Sequence, residues 1–301
     1  MGDKTEISWT DHTFNIWWGC FDAPADLDGF GEPSPECENC YARTFDKRLG
    51  GDNWQAAGPR RFFGDAYWAK PLKWNAAAEK TGRRAKVFCA SMADWAEMHL
   101  DPVVRAKQDA ARARLWPLIQ RTPWLDWLLL SKRPQNWCLL LPWVASTPTR
   151  LMPLFKDPLP NVWLGVTAGV TASMWRVDIL RRTPAAKRFI SGEPLLEHIT
   201  ADTWNAALCE YECNCMVSGQ EGAGMHSGGC RAVQNIDWLI VGDESGHGRR
   251  PIDLDAVRTA RDAAERHGVK FHFKQWNSDD RTPGKTVHLP VLDGRRWAES
   301  S

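Results

Sequence analysis

Short apolar runs recur along the chain, each closing on a polar cluster. The first is Thr13-Phe14-Asn15-Ile16-Trp17-Trp18, which ends in Gly19-Cys20. Lys86 to Ala90 runs into Ser91-Met92-Ala93-Asp94, and Asp126 to Leu130 into Ser131-Lys132-Arg133-Pro134. Asn161 to Val166 ends in Thr167-Ala168-Gly169, Lys187 to Ile190 in Ser191-Gly192-Glu193-Pro194, and Asp237 to Val241 in Gly242-Asp243-Glu244-Ser245-Gly246. A last run, Val269 to Phe273, ends in Lys274-Gln275-Trp276. Continuous runs of this length, rich in branched and aromatic residues, predict strands buried on both faces. Stretches with helical spacing lie between them: Glu38 to Leu49 with Tyr41, Phe45 and Leu49 on one face, Trp74 to Lys80, Pro102 to Gln120, Thr171 to Arg182, and Asp253 to His267 stopped by Gly268.

Strands alternating with helices imply a parallel sheet. Six strands, or seven with the last, predict an α/β fold of the partial (β/α)6-type, TIM-like barrel kind, with loop insertions. In such barrels the chemistry sits at the carboxyl ends of the strands, and here every strand ends in a polar cluster. The expected organisation is one barrel over residues 1–276 with a Cys-rich insertion at about 205–233, followed by a C-terminal extension over 277–301.

Composition changes this picture in two places. The chain has 38 basic and 37 acidic residues, so the footprint of a dedicated nucleic-acid binder is absent, although a local basic strip is compatible with it. No apolar run reaches the roughly 20 residues of a membrane span, and Met1-Gly2-Asp3-Lys4 opens no signal peptide, which points to the cytoplasm. Without an export signal, nine cysteines favour metal ligation or buried thiols over disulfides. The 18 tryptophans read mostly as core, with a few available to stack a flat ring.

Three cysteines stand out. Cys20 follows the first strand, and Cys37-Glu38-Asn39-Cys40-Tyr41-Ala42-Arg43 follows a loop of prolines, glycines and acidic residues over 22–36. Three thiolates suit a soft metal centre with an open position better than a closed zinc site. A structural zinc borrowing a fourth ligand, or buried free thiols, are the alternatives. Cys209, Cys213, Cys215 and Cys230, with His226 nearby, form a second group that suits zinc or an auxiliary Fe-S cluster. Cys89 and Cys138 read as core thiols.

The order Asn15-x-x-x-Gly19-Cys20, then Cys37-x-x-Cys40-Tyr41-Ala42-Arg43, resembles the cluster-binding region of radical S-adenosylmethionine enzymes, and especially the spore photoproduct lyase branch. It is most similar to a phage-associated three-cysteine-motif family, to which the later blocks from Ser91 to Trp276 also correspond. One departure is that sixteen residues separate Cys20 from Cys37, where the pattern usually has three. The resemblance implies a [4Fe-4S] cluster on Cys20, Cys37 and Cys40, its fourth iron open to S-adenosylmethionine, and a 5'-deoxyadenosyl radical that abstracts hydrogen. It implies that Ser91 and Asp94 hold the methionine end, that Ser131, Lys132 and Glu193 hold carboxylate or ribose, and that Val241, Gly242 and Glu244 lie near adenine, with Tyr41 against it. A modified nucleotide or phage DNA base as substrate, an electron donor such as flavodoxin or ferredoxin, and a bacterial host cytoplasm belong to the same expectation.

Asp94, Glu193 and Lys274 are the candidate catalytic groups, each with a plain reading as a solvated or ion-paired side chain. Lys132-Arg133 suits a phosphate or carboxylate clamp. Arg60-Arg61 and Arg249-Arg250 suit a nucleic-acid backbone or a solvated face. Two further readings are a zinc-stabilised nucleic-acid-binding module without catalysis, and a barrel hydrolase using Asp94, Glu193 or Glu244 with a divalent ion.

Overall fold

The structure, a computed structural model, describes residues 5–27, 32–144, 155–209, 211–212, 231–232, 235–246, 248–277 and 286–299. Seven strands form one sheet in chain order: β1 (His12–Phe14), β2 (Ala85–Cys89), β3 (Leu125–Ser131), β4 (Val162–Thr167), β5 (Lys187–Gly192), β6 (Trp238–Val241) and β7 (Lys270–Phe273). Every neighbouring pair is parallel. The expected strands are present at the expected places, the last included. The main helices are α1 (Tyr41–Arg48), α2 (Lys70–Thr81), α3 (Pro102–Gln120), α4 (Trp175–Arg182), α5 (Ala201–Leu208) and α6 (Leu254–Arg266).

Two cores follow from the alternation along each strand. Val87, Cys89, Trp127, Leu129, Leu164, Val166, Ile190, Leu239 and Phe271 face the helices in the larger one. Phe88, Leu128, Trp163, Phe189, Trp238 and Ile240 face inward with Trp9 in a smaller one. That inner cluster measures the curl of the sheet. The Lys86 ammonium of β2 lies 4.8 Å from the Trp238 ring of β6, four strands away, where a flat sheet would put about 19 Å between them. The sheet is therefore a half-barrel, plugged at its lower end by aromatic rings. Gly165 makes room for the plug, since a Cβ there would lie 2.2 Å from the Phe189 ring. Most of the tryptophans are buried, as their number suggested.

The free edge of β7 is covered by the chain's own end. The Phe273 N–H donates to the Trp297 carbonyl at 2.9 Å and the Glu299 N–H to the Phe271 carbonyl at 3.2 Å, with His272 opposite Ala298. A covered edge cannot template further strand pairing. Among the described residues no helix is long and apolar enough to cross a membrane.

Two expectations change at this level. The Tyr41, Phe45 and Leu49 stripe of α1 points outward, because Ala42 and Asp46 take the buried face and Asp46 accepts from the Asn53 amide N–H at 3.0 Å. Cys138 is exposed rather than core, since Trp137 takes the inward position of that four-residue helix.

His272, on the inner face of β7, is buried, with Nε2 2.9 Å from the Ser8 hydroxyl and Nδ1 without a hydrogen-bond partner. Burial lowers its pKa to about 4. The folded value lies below the unfolded one of about 6.5, so this contribution to stability is intact above pH 6.5 and is lost as pH falls towards 4. The loss reaches about 3 kcal/mol at 1.36 kcal/mol per unit. His272→Phe is expected to flatten the fall in unfolding free energy between pH 6.5 and 4 in urea titrations. An unchanged slope would show that other groups set it.

Candidate functional site at the strand carboxyl ends

The ladder of the first strand ends at Phe14, short of the expected Trp18. After a bend at Ile16 and Trp17, Trp18 exchanges hydrogen bonds with Arg61 at 2.9 and 3.0 Å, and Gly19 donates to the Met92 carbonyl at 3.0 Å. Gly19 has φ +107°, and a Cβ there would meet the Asn53 carbonyl oxygen at 2.4 Å, so the turn that presents Cys20 requires glycine. Asn15 ties this segment to the end of β2: its side-chain oxygen accepts from the Met92 N–H at 2.6 Å and its amide donates to the Ser91 hydroxyl at 3.2 Å. Cys37 ends a short 3-10 turn and Cys40 caps α1 at its N-terminus.

Cys20 comes from the segment after β1, and Cys37 and Cys40 come from the turn and helix start that follow the excursion. Each residue keeps part of its surface accessible. Their sulfurs are enclosed enough that burial raises the pKa of Cys20 and of Cys37, and the neighbouring charges oppose this, Arg133 for Cys20 and Lys132 for Cys37. Cys20 and Cys37, and Cys37 and Cys40, lie within electrostatic reach of one another. Among the described residues no three His, Cys, Asp or Glu side chains gather as they would around a single metal ion.

Three arginines from different strand ends hold the excursion that separates Cys20 from Cys37. Arg133, after β3, donates to the Phe21 carbonyl at 2.6 Å and to the Cys20 sulfur at 3.5 Å. Arg176, in α4, donates to Pro24 O at 3.0 Å, to Ser34 Oγ at 3.1 Å and to Glu36 Oε2 at 2.5 Å. Arg250, after β6, donates to Pro35 O and to Glu38 Oε2, both at 2.8 Å. Within the excursion Ala25 N–H donates to Glu32 O at 3.0 Å and Ser34 N–H to Ala23 O at 2.7 Å, while Trp175 Nε1–H reaches Ala25 O at 2.8 Å. The spacing departure is thus absorbed by a loop whose described residues, 21–27 and 32–36, pair with each other and are gripped by arginines near both ends.

The carboxylates expected to act on ligands divide into two groups. Asp94 accepts from Ser131 Oγ at 2.7 Å, Ala96 N at 2.9 Å, Lys132 N at 2.9 Å and Arg133 Nη1 at 3.2 Å. Those four donors fill a carboxylate's capacity, and Ser131 is engaged with it. Glu244 is likewise taken by Arg250, through Nη2 at 2.6 Å and Nε at 3.1 Å, and by Asn39 Nδ2 at 2.9 Å. Both act on the cysteine segments through an arginine. Glu193 differs. It meets Lys274 Nζ at 3.0 Å and accepts from Ser191 Oγ at 3.3 Å, yet its buried Oε1 has no aligned hydrogen bond. Thr167 Oγ1, on the inner face of β4, is buried without a hydrogen-bond partner, and its only signal in the sequence is its place at a strand end.

Tyr41 donates to the Ser91 carbonyl at 2.5 Å, its hydroxyl enclosed while its ring remains 41% exposed. Burial raises its pKa, helped by Cys40 and Glu193 close by. Gly242 packs against Glu193, whereas the Val241 side chain lies in the helix-side core and leaves only main chain at the rim. Arg60 is no nucleic-acid contact: it is buried and paired with Glu97, and Arg61 stacks over Trp18 at 5.0 Å. Cys209 ends α5, where Arg181 donates to its carbonyl, away from the strand carboxyl ends. Cys213, Cys215, Cys230 and His226 lie outside the described residues.

An open parallel (β/α) half-barrel with a thiol-lined rim is the class of protein these observations define. The chain belongs to the family described as "Protein of unknown function (DUF5131)", which matches residues 4–301. No curated protein matches it. Among solved structures it is similar to a cysteine-to-serine variant of spore photoproduct lyase, with TM-score 0.43 and 12% identity, covering 95% of this chain and 70% of that one. A tyrosine-to-phenylalanine variant of the same protein gives TM-score 0.43 and 11% identity over the same shares. Similarity at this level leaves function to be argued from the site.

Proposed function

We propose that this chain is a radical S-adenosylmethionine enzyme in which Cys20, Cys37 and Cys40 hold a [4Fe-4S] cluster. The observation that supports the reading is that three half-buried thiols, Cys20 within electrostatic reach of Cys37 and Cys37 of Cys40, lie on anchored backbone beside the carboxyl ends of a parallel half-barrel. The donor set fits the group. Thiolates are the ligands such clusters take, and each binds a different iron, so they need not crowd as around one ion. Three cysteines leave the fourth iron for S-adenosylmethionine. Once reduced, the cluster supplies the electron that breaks the sulfonium and yields a 5'-deoxyadenosyl radical for hydrogen abstraction from substrate.

The chain's own groups bind and orient. Thr167 Oγ1 offers an unfilled position to an amino or hydroxyl group, and the ion pair of Lys274 Nζ with Glu193 Oε1 at 3.0 Å sets an ammonium and a carboxylate where a ligand carrying both charges can exchange with them. The open ring of Tyr41 beside Glu193 gives adenine a face to lie on. Ser91 contributes its carbonyl to Tyr41, and the aromatic plug below closes the barrel to water. The substrate class we favour is a nucleotide or a DNA base, modified or rearranged, with a flavodoxin or ferredoxin as electron donor. The exposed ring of Phe45, one turn beyond Tyr41, supports a stacking surface for a flat base. A divalent-metal hydrolase is disfavoured, because Asp94 and Glu244 have their acceptor positions filled and only Glu193 remains.

Anaerobic reconstitution with iron and sulfide, followed by a visible spectrum and an assay for 5'-deoxyadenosine with dithionite and S-adenosylmethionine, tests the reading. The expected result is a brown protein that forms 5'-deoxyadenosine. A colourless chain that takes one zinc at Cys20, Cys37 and Cys40 would overturn it and bring forward the zinc-stabilised binding module.

A further inference from the structure

Cys20 differs from the other two rim cysteines in having a buried cation directly against its sulfur. Arg133 Nη1 lies 3.5 Å from Cys20 Sγ, within the range of a hydrogen bond to sulfur. The guanidinium is 3% exposed and held from several sides: Nη1 also donates to Asp94 Oδ2 at 3.2 Å, Nη2 donates to the Phe21 carbonyl at 2.6 Å, and the group lies 4.6 Å over the Phe21 ring. Its backbone is fixed too, the Arg133 N–H donating to Ser131 Oγ at 2.8 Å. Asp94 and Ser131 therefore build a bracket whose working end is an N–H aimed at one sulfur.

We propose that Arg133 is a positioning residue that tunes the bound cluster: its N–H to the Cys20 sulfur, together with its buried charge, raises the cluster's reduction potential. The inference rests on the cluster reading above. Three thiolates around an iron–sulfur core leave net negative charge, and reduction adds one more electron to it. Hydrogen bonds to the sulfurs and nearby positive charge favour the more negative state, and these are the levers through which a protein sets such potentials. A buried guanidinium acts strongly because little solvent screens it. Lys132, next to Arg133 in the chain and within electrostatic reach of Cys37, adds to the same field.

The test is a redox titration, followed by electron paramagnetic resonance, of reconstituted wild type, Arg133→Gln and Arg133→Lys. Arg133→Gln is expected to lower the reduced-to-oxidised ratio at a fixed potential by tenfold or more, which is 59 mV or more for one electron. Arg133→Lys, which keeps the charge and loses the planar fork, is expected to fall between. Arg250→Gln serves as control, since Arg250 grips the same excursion at a side-chain exposure of 33% and touches no sulfur, and its potential is expected to stay with wild type. Asp94 keeps three donors in the Arg133 variants, from Ser131, Ala96 and Lys132, and a denaturant midpoint measured beside the potential checks that each variant is folded. A cluster-loaded Arg133→Gln at the wild-type potential overturns the inference, as does an equal fall in Arg250→Gln, which would reduce Arg133 to one of several loop anchors. A wild type that takes up no cluster fails at the earlier step and removes both readings together.

Discussion

Cys37→Ala is expected to give a folded, colourless chain that forms no 5'-deoxyadenosine. Cys37 sits at the end of a three-residue 3-10 turn with its backbone N–H on the Ser34 carbonyl at 2.9 Å, a bond that alanine keeps. Its thiol belongs to neither core cluster, so its removal leaves no large cavity, and the cost in stability should be within about 1 kcal/mol. What is lost is one of three cluster ligands, and two thiolates leave two irons exposed to exchange. Cys89→Ala is the matched control. Cys89 closes β2 but faces the helix-side core and is fully buried, so that variant should lose stability and keep the brown colour. Iron and sulfide content, read beside a denaturant midpoint, separates the two cases. A Cys37→Ala chain that retains wild-type iron would mean that the rim thiols do not hold the cluster.

Glu36→Gln should lower stability by about 3–5 kcal/mol, because it leaves the Arg176 charge buried without its partner. Both side chains are fully inaccessible. Glu36 accepts from Gly169 N at 2.6 Å, Ser34 Oγ at 2.8 Å, Ser173 Oγ at 2.9 Å and Arg176 at 2.5 Å, so one carboxylate joins the cysteine excursion to the turn after β4 and to α4. Burial by itself raises its pKa, but Arg176, Lys132 and the Gly169 N–H outweigh burial and hold it below the usual carboxylate value. A depressed folded value means the contribution is present above the unfolded pKa and is lost as pH falls through the folded one, so the pair is intact at neutral pH. The double variant Glu36→Gln with Arg176→Met is expected to be less destabilised than Glu36→Gln alone, a non-additivity that denaturant unfolding of the set reads directly. Additive losses would show that the two side chains do not act as a pair. Because Glu36 precedes Cys37, the single variant should also release iron to a chelator faster than wild type.

The rim cysteines, the strand ends and the buried tryptophans were legible because each rests on local pattern. Apolar runs closing on polar clusters are visible without knowing what packs on what, and Gly19 before Cys20 marks a turn whatever surrounds it. The arginines were not legible. Lys132-Arg133 and Arg249-Arg250 read as clamps for an anion or a nucleic-acid backbone, and Arg176 carried no signal inside a helix. In the folded chain Arg133, Arg176 and Arg250 grip the protein's own carbonyls and carboxylates, with partners as far as 215 positions away. Asp94 and Glu244 were misread as ligand groups for the same reason: a carboxylate at a strand end looks identical in sequence whether its acceptor positions are filled or free.

By itself, then, the sequence determined a parallel half-barrel with three cysteines beside the carboxyl ends of its strands, since alternation, turn glycines and motif order are properties of near neighbours in the chain. Only the tertiary structure decided that the described parts of the excursion between Cys20 and Cys37 are anchored by arginines from distant elements. It also decided that Glu193 pairs with Lys274 while Thr167 Oγ1 is left buried without a hydrogen-bond partner. Those outcomes depend on which distant donor reaches each acceptor once the sheet has curled, and no local pattern encodes that distance.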